Sequence, residues 1–182
     1  MISTHKVKKD LEKIHLEYIC RNFKLQNNII YHEKRAYPDL YNLGKPKFLF
    51  ELKSRAFPRE QKGKRIRPIT CFGWWHLSYS QIKRYEELGK AKGLELFWIF
   101  MLSQTKVEPT LMDKITENSI IKRDFYIVSW DAYKLIKPAP GKEGYIGLAR
   151  LKRNYDFSES EIKKGKLYLP KNIEKKVGLC FL

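Results

Sequence analysis

Apolar residues near the start of the chain recur at the spacing of an amphipathic helix. They lie three or four residues apart and would share one stripe of the helix: Val7, Leu11, Ile14 and Tyr18. A hydroxyl group at Ser3 or Thr4 suits the N-terminal cap, because a side-chain oxygen there accepts an otherwise unpaired backbone N–H. The pattern predicts a first helix that ends at about Phe23.

Strand-like alternation follows the first helix. Residues 29–33 are predicted to form a strand, and residues 38–53 a β-hairpin that turns at residues 42–46. Successive side chains of a strand point to opposite faces. Glu51 and Lys53 therefore share one face of the last hairpin strand, while the other face is apolar and carries Phe48, Phe50 and Leu52.

The periodicity is lost over residues 54–73 and returns with a second helix. We expect residues 54–73 to form an exposed loop. A helix should follow from Ser78 to about Lys92, because Gln81 lies three residues after Ser78, as in a capping box. Gly93 suits the left-handed position that ends a helix.

The second half of the chain is predicted to be mostly β. Residues 94–101 are rich in Leu, Phe, Trp and Ile and should form a buried strand. After a connection over residues 104–122, we expect strands at residues 125–130, 145–151 and 166–169 and one helical turn at residues 131–136.

The order of these elements predicts the fold class. Helix, three strands, helix and strand make a compact α/β core with a central mixed sheet. We assign this core to residues 1–103. Residues 104–182 are expected to be an extension packed on the same domain.

The charge of the chain points to a polyanionic partner. It has 37 Lys and Arg against 20 Asp and Glu, which gives a net charge of +17 on 182 residues. This excess is larger than solubility requires and favours nucleic acid. Apolar residues make up 43% of the chain, enough to build a core, so the protein is not a disordered basic tail.

The positions of the cysteines and the hydropathy of the chain indicate the cellular compartment in which the protein works. Cys20, Cys71 and Cys180 lie far apart, which argues against a zinc ribbon, an iron–sulfur cluster or a disulfide scaffold. The first residues lack the apolar core of a signal peptide, and the longest apolar run, residues 94–102, is too short to cross a bilayer. We expect a soluble, cytoplasmic protein.

The hairpin carries two carboxylates and an amine. Asp39 lies at its start, and Glu51 and Lys53 lie on its last strand. A hard divalent cation takes oxygen ligands from one or two carboxylates, with water, a backbone carbonyl and substrate phosphate completing the shell. This set outlines a metal-dependent phosphodiesterase site. A surface pair between Glu51 and Lys53 is the alternative, which their apolar neighbours disfavour.

The hairpin resembles the signature of a nuclease superfamily. Pro-Asp at residues 38–39 and Glu-Leu-Lys at residues 51–53 resemble the motif of the PD-(D/E)xK superfamily. The resemblance covers roughly residues 4–103. It implies a restriction-endonuclease-like core, here with extra C-terminal strands, and hydrolysis of phosphodiester bonds.

The resemblance also implies roles for the hairpin residues. Asp39, Glu51 and the backbone carbonyl of Leu52 would hold Mg²⁺, for which Mn²⁺ is expected to substitute. The cation would polarise the scissile phosphate and acidify a bound water. Lys53 would orient that water and offset the charge that develops on the phosphorane.

Members of the superfamily commonly add an acid from the first helix. Glu17 is the predicted residue, both as a catalytic group and as a metal ligand. Asp10 lies on the same flank of the predicted apolar stripe, and Glu12 lies further round the other side. These two acids remain the alternatives.

The second helix carries one more candidate. The segment that begins at Gln81 and ends at Tyr85 is similar to the Gln-x-x-x-Tyr motif of RecB-like and virus-type members, which implies an active-site role for Gln81. The alternative is that Gln81 closes the capping box to Ser78. Tyr85 is expected to pack in the core.

A cluster of cations follows the hairpin directly. It consists of Arg55, Arg59, Lys62, Lys64, Arg65 and Arg67. We predict that these residues contact the DNA backbone, although such a run is also typical of a solvated loop. If about six phosphates are neutralised, the logarithm of affinity should fall with the logarithm of salt with a slope of about −5. Trp74 and Trp75 are expected to pack under a loop, with base stacking as the alternative.

These observations together predict a Mg²⁺-dependent DNA endonuclease. It would be either structure-specific, as a junction-resolving enzyme, or site-specific, as a homing or restriction enzyme. The sequence has no P-loop, helicase motif or zinc finger, so we expect a free-standing nuclease or a subunit recruited by other proteins. A homodimer is expected, because two-fold dimers are usual where both strands are cut, and residues 104–182 are expected to contribute to dimerisation or DNA contact. A RecB-like DNA exonuclease and a non-catalytic nucleic-acid-binding module are the alternatives.

Overall fold

A computed structural model of the protein describes residues 4–22, 39–42, 47–58, 74–106, 114–138 and 143–173. The α-helices in these ranges are α1 (Thr4–Asn22), α2 (Tyr79–Lys92) and α3 (Leu148–Asn154), and 3₁₀ helices lie at Glu117–Ser119 and at Trp130–Leu135, where one helical turn is predicted. The strands in the same ranges are β1 (Leu40–Asn42), β2 (Phe48–Pro58), β3 (Trp74–Ser78), β4 (Glu95–Thr105), β5 (Ile120–Ser129), β6 (Lys137–Pro138), β7 (Glu143–Gly147), β8 (Phe157–Ile162) and β9 (Gly165–Pro170). Within this described part, no helix has both the length and the apolar character needed to cross a membrane.

The strands form two sheets. The larger sheet has the order β1-β2-β4-β5-β9-β8, and the smaller has the order β3-β7-β6. In the larger sheet β2 pairs with β4 and β5 with β9 in parallel, whereas the other neighbours are antiparallel. The sheet is therefore mixed. This confirms the predicted α/β fold class, with a central mixed sheet and extra C-terminal strands.

The two halves of the chain share the larger sheet. β5, β8 and β9 come from residues 104–182 and extend the sheet that β2 and β4 begin. The third strand before α2 is β3, which pairs in the smaller sheet. The strand predicted at residues 29–33 lies outside the described residues. The boundary after residue 103 remains a prediction.

The strand β2 has the two faces that its alternation predicts. Phe48, Phe50 and Leu52 pack with Leu16 and Ile19 of α1 in one core cluster. Each such fully buried side chain contributes roughly 1.5–3 kcal/mol through removal of apolar surface from water. A second cluster lies on the opposite face of the sheet and includes Trp75, Ile82, Tyr85, Trp98 and Trp130. The odd-numbered residues of β2 therefore project toward α2.

β2 is longer than the sequence predicts. A loop is expected from residue 54, but the strand continues to Pro58. Every residue of β2 pairs with one of Glu95–Thr105 in β4. This long ladder outweighs the weak local alternation, because strand formation depends more on cross-strand neighbours than on intrinsic preference. The rest of the predicted loop, residues 59–73, lies outside the described ranges.

Other elements also differ from the prediction. β5 begins at Ile120, inside the connection expected over residues 104–122. The strand expected to run through residue 151 ends at Gly147, and α3 follows because Leu148 and Leu151 lie on one helical face and are fully buried. The sequence pattern does not predict β8, because its residues are mostly polar and it occupies the edge of the sheet.

α1 presents a different stripe to the sheet from the one predicted. Ile14 is only half-buried, while the buried residues between Asp10 and Asn22, the part of α1 whose side chains are described, are Leu11, His15, Leu16, Tyr18 and Ile19. The Nδ1 atom of His15 lies 3.4 Å from the Ser54 hydroxyl on β2, and its Nε2 atom lies 3.0 Å from the Ser103 hydroxyl on β4. These hydrogen bonds let an imidazole occupy a core position, which a count of apolar residues cannot anticipate.

His15 should make the fold sensitive to acid. Burial, and secondly the positive charge of Arg123, hold the pKa of His15 well below its usual value of 6.5. The unfolded chain takes up this proton near pH 6.5 but the folded protein does not, so the stability contributed by neutral His15 is present above that pH and is lost as the pH falls. Between about pH 7.5 and about pH 5.5, the His15→Gln variant should lose about 1 kcal/mol less unfolding free energy than the parent.

Urea denaturation at the two pH values checks this prediction. His76→Gln, at an exposed histidine of β3, is the matched control and should lose as much unfolding free energy as the parent. Equal losses in the parent and in His15→Gln would contradict the assignment.

Candidate active site

The predicted metal-binding groups lie where β1 meets β2. Asp39 immediately precedes β1, and its Oδ2 atom accepts the backbone N–H of Leu52 at 2.7 Å. The N–H and C=O of one strand residue project to the same side of the strand, so the carbonyl of Leu52 faces the Asp39 side of β2. Glu51 is the preceding residue and is only 3% exposed. The hairpin thus brings both carboxylates to one edge of the sheet.

Three predicted side chains are joined by hydrogen bonds on the α2 side of β2. The Lys53 ammonium donates to Glu51 Oε1 at 2.6 Å and to Gln81 Oε1 at 3.2 Å. The Gln81 amide donates to the same Glu51 oxygen at 2.6 Å. Gln81 therefore bridges the acid and the amine, and one oxygen of Glu51 receives two donors.

Gln81 does not close a capping box. Ser78 is the N-cap of α2, but among the described residues its side chain makes no capping hydrogen bond and instead lies 2.8 Å from the Ser80 hydroxyl. The capping alternative for Gln81 is therefore wrong. A buried carboxylate is a stronger acceptor for the amide than an exposed helix end, because hydrogen bonds to charged groups are the stronger class.

Tyr85 packs in the core, as expected, and also contacts the site. It is 1% exposed, and its hydroxyl accepts the Gln81 amide at 3.0 Å. Burial, followed by the negative charge of Glu51, raises the pKa of Tyr85 to about 12. The phenol therefore stays neutral and helps to fix Gln81.

The two carboxylates repel each other, and the amine stabilises them. Burial, followed by the charge of Glu51, raises the pKa of Asp39 well above its usual value, while Lys53 and the N–H of Leu52 act in the opposite direction. Burial works to lower the pKa of Lys53, but Glu51 and Asp39 outweigh it, and this pKa is raised. Lys53 is thus a permanent ammonium near neutral pH. It can orient a water or stabilise negative charge, but it cannot serve as a general base.

The residues fit a hard divalent cation. Within the described part of the chain, the Oε2 atom of Glu51 is buried and has no hydrogen-bond partner, and such an atom is costly unless something pairs with it. A cation between Glu51 and Asp39 would satisfy this oxygen and relieve the repulsion that raises the pKa of Asp39. The described residues contain no cluster of three His, Cys, Asp or Glu placed to hold a metal. Two carboxylates and a carbonyl are nevertheless a sufficient protein share for Mg²⁺, which keeps several waters.

α1 brings Glu12, and not the predicted Glu17, next to these groups. The negative charge of Glu12 acts on both Asp39 and Lys53. Glu17 is 47% exposed and pairs with Arg21 at 3.6 Å. It lines a separate cavity together with Asp10. The sequence favoured Glu17 because the predicted apolar stripe of α1 leaves out His15. His15 is buried, so the helix is rotated about its axis relative to that stripe.

The two acids of α1 allow a matched test. Glu12→Gln should lower Mg²⁺ affinity or the cleavage rate by about 10–100-fold, the usual cost of losing an outer carboxylate of a metal site. Glu17→Gln should leave both unchanged, because Glu17 forms an exposed pair with little energetic weight. Metal titration and single-turnover cleavage measure the two quantities. A larger effect of Glu17→Gln than of Glu12→Gln would mean that α1 turns Glu17, and not Glu12, toward the metal.

The predicted DNA-contacting cations fall mostly outside the described residues. Arg55 lies on β2, opposite Leu102 of β4, and is half-buried. It is two residues beyond Lys53, so its side chain leaves the same face of the strand. The other five cations, which are not described, are Arg59, Lys62, Lys64, Arg65 and Arg67. A role in DNA binding stays a prediction for all six.

Trp75 is part of the core, as the sequence favours. It is 2% exposed, and its indole N–H donates to the carbonyl of Met101 at 3.1 Å. The next residue, His76, points outward and is exposed. β3 therefore buries one face and presents the other to solvent.

Comparison with protein-family models and with curated protein sequences finds no match to the chain. Among solved structures, the chain is similar to Hjc, a Holliday junction resolvase from Archaeoglobus fulgidus, with a TM-score of 0.43 and 12% sequence identity. The match covers 81% of this chain and 88% of that chain. A likeness this distant does not carry a function from one protein to the other, so the function has to be inferred from the site itself.

Proposed function

We propose that the protein is a Mg²⁺-dependent DNA endonuclease that hydrolyses phosphodiester bonds, with Mn²⁺ able to replace Mg²⁺. The observation that supports this most directly is the environment of Glu51. Its buried Oε2 atom lacks a hydrogen bond from any described residue, while its other oxygen is fixed by Lys53 and Gln81. Such an arrangement leaves one oriented carboxylate oxygen beside Asp39, which is what a cation requires.

Each residue has a role in the proposed reaction. Asp39, Glu51 and the carbonyl of Leu52 would hold the metal, which when bound polarises the scissile phosphate and acidifies a water. The Lys53 ammonium orients the attacking water and offsets negative charge as the phosphorane forms. Gln81 positions Glu51 and Lys53 relative to each other through its two hydrogen bonds.

The charge of the protein supports DNA as the substrate. A net charge of +17 suits a phosphate backbone, and Arg55 leaves β2 on the same face as Lys53. We propose an enzyme that recognises either a branched structure or a specific site, acts as a homodimer, and is open to recruitment by other proteins. Two-fold dimers suit enzymes that cut both strands, because the symmetry of the protein then matches that of the target.

A panel of DNA substrates tests the proposal. Supercoiled plasmid, end-labelled linear duplex, single strands and a four-way junction are incubated with the protein and Mg²⁺, Mn²⁺ or EDTA. We expect nicking or linearisation of the plasmid, or resolution of the junction, with either metal and none with EDTA. Cleavage only from free ends would instead indicate an exonuclease. Binding without any cleavage would indicate a nucleic-acid-binding module and would overturn the proposal.

A further inference from the structure

The smaller sheet presents an aromatic and cationic row to solvent. Its strands β3, β7 and β6 are antiparallel, and one face packs into the core through Trp75 and Ile146, which lie opposite each other and are at most 2% exposed. The next row along the sheet points the other way. It consists of His76 on β3, Tyr145 on β7 and Lys137 on β6, paired in register across the three strands. We call this set the outward row.

The outward row is unusual among the described residues in exposing a large aromatic ring. Tyr145 is 37% exposed, one of two large hydrophobic side chains that the described residues leave exposed. His76 and Lys137 on either side of it are also exposed. A phenol ring between an imidazole and an ammonium offers a flat stacking surface with positive charge beside it. This combination suits a nucleobase and its phosphate, because bases stack on aromatic faces and phosphates pair with cations.

The outward row lies close to the candidate active site along the chain. β3 ends at Ser78 and runs directly into α2, so His76 is separated from Gln81 by a few residues of strand and helix. Strand and helix rises of about 3.3 and 1.5 Å per residue give a separation of about 11 Å between the Cα atoms of His76 and Gln81. This is the length of about three nucleotides at 3.4 Å each. A DNA strand whose scissile phosphate lies at the candidate active site, beside Lys53 and Gln81, would therefore reach the row within a few nucleotides.

We propose that the outward row binds the bases of an unpaired DNA strand next to the cleavage position, an inference that rests on the nuclease function proposed above. An exposed ring stacks only on a base whose face is free, and a base inside a duplex already has neighbours on both faces. The row therefore selects branched, tailed or frayed DNA over continuous duplex. Glu143 is exposed on the same outward face, opposite Ser78, so the DNA backbone runs on the Lys137 side of Tyr145.

Binding to tailed DNA tests the inference without cleavage. A labelled duplex with a single-stranded tail, and the same duplex with blunt ends, are titrated in EDTA by fluorescence anisotropy. Tyr145→Leu should weaken binding of the tailed DNA about tenfold, whereas Tyr145→Phe should leave it unchanged, because stacking needs the ring and not the hydroxyl. Neither variant should alter binding of the blunt duplex. Equal melting temperatures of the two variants show that the fold is intact.

Two further arms separate base stacking from phosphate contact. A tail of abasic sites should bind the parent about as weakly as the normal tail binds Tyr145→Leu, because no base remains to stack. Lys137→Ala should reduce the slope of log affinity against log salt by about 1, the share of one phosphate contact. Lys166→Ala is the charge-matched control, since Lys166 lies on β9 and its ammonium already bonds to Glu159 at 2.6 Å.

The outcomes separate this inference from the nuclease function. If Tyr145→Leu and Tyr145→Phe bind tailed DNA equally well while the parent still cleaves DNA, the outward row is not a stacking surface and the inference fails. If the parent binds neither DNA in EDTA, the inference fails, while the cleavage panel with Mg²⁺ or Mn²⁺ decides the proposed function separately.

Discussion

Replacing Lys53 by methionine should lower the rate of DNA cleavage by about 10²–10³-fold, the usual effect of removing one group that stabilises charge in the transition state. Methionine keeps most of the length of the side chain but removes the ammonium that donates to Glu51 and Gln81. DNA affinity should change little, because the lost charge is one among the 37 Lys and Arg of the chain. Single-turnover cleavage and anisotropy measure the two quantities separately.

A lysine elsewhere on the surface provides the control for Lys53. Lys90 is exposed in the last turn of α2, and Lys90→Met removes the same charge with the same change of shape. Its cleavage rate should match that of the parent. A Lys53→Met protein that cuts as fast as the parent would rule out Lys53 as a catalytic residue. A Lys53→Met protein that fails to bind DNA would mean that the lysine serves in binding instead.

Replacing Asp39 by asparagine should stabilise the metal-free protein and abolish its response to metal. Asparagine keeps an oxygen to accept the Leu52 N–H but removes a buried charge that Glu51 repels. We expect the melting temperature in EDTA to rise by about 2–4 °C, the shift that about 1 kcal/mol produces in a domain of this size. Cleavage should be lost, because one of the two carboxylates of the proposed metal site is gone.

Adding Mg²⁺ should make the parent more stable than the Asp39→Asn variant. A ligand that binds only the folded state raises its stability in proportion to the logarithm of ligand concentration, so the parent should gain melting temperature while Asp39→Asn should not. Asp156→Asn is the control. Asp156 forms an exposed pair with Lys171, and its replacement should leave the Mg²⁺-induced shift intact. An Asp39→Asn protein with the same Mg²⁺-induced shift as the parent would place the cation elsewhere.

The placement of the hairpin side chains could be predicted because it is local. Asp39, Glu51 and Lys53 lie within one turn and its two strands, and alternation alone decides which face of β2 each side chain leaves. Gln81 was suggested only by a resemblance, since its contact with Glu51 crosses from a helix to a strand thirty positions earlier. The sequence left its capping alternative open, and only the packing of α2 on the sheet excludes it.

The parts that sequence reasoning missed depend on distant partners. The length of β2 is set by β4, which supplies eleven pairing residues from more than forty positions away. The orientation of α1 is set by His15, a polar residue that is buried because Ser54 and Ser103 satisfy it. If His15 is counted as polar, the apolar stripe read from the sequence is rotated about the axis of α1 relative to the face that is buried. This rotation is why the sequence favours Glu17 over Glu12 as the acid that α1 adds to the site. A buried histidine cannot be recognised before its hydrogen-bond partners are known.

The two donors on one oxygen of Glu51 also bear on the choice of metal. Calcium takes six to eight oxygens and often uses a carboxylate through both of its oxygens, whereas magnesium is octahedral and accepts single oxygens together with water. Lys53 and Gln81 already occupy Oε1, so Glu51 has a single oxygen to offer. In the proposed metal site, the hydrogen bonds that hold this acid in place would therefore disfavour a larger ion, because they leave Glu51 one free oxygen where such an ion favours two.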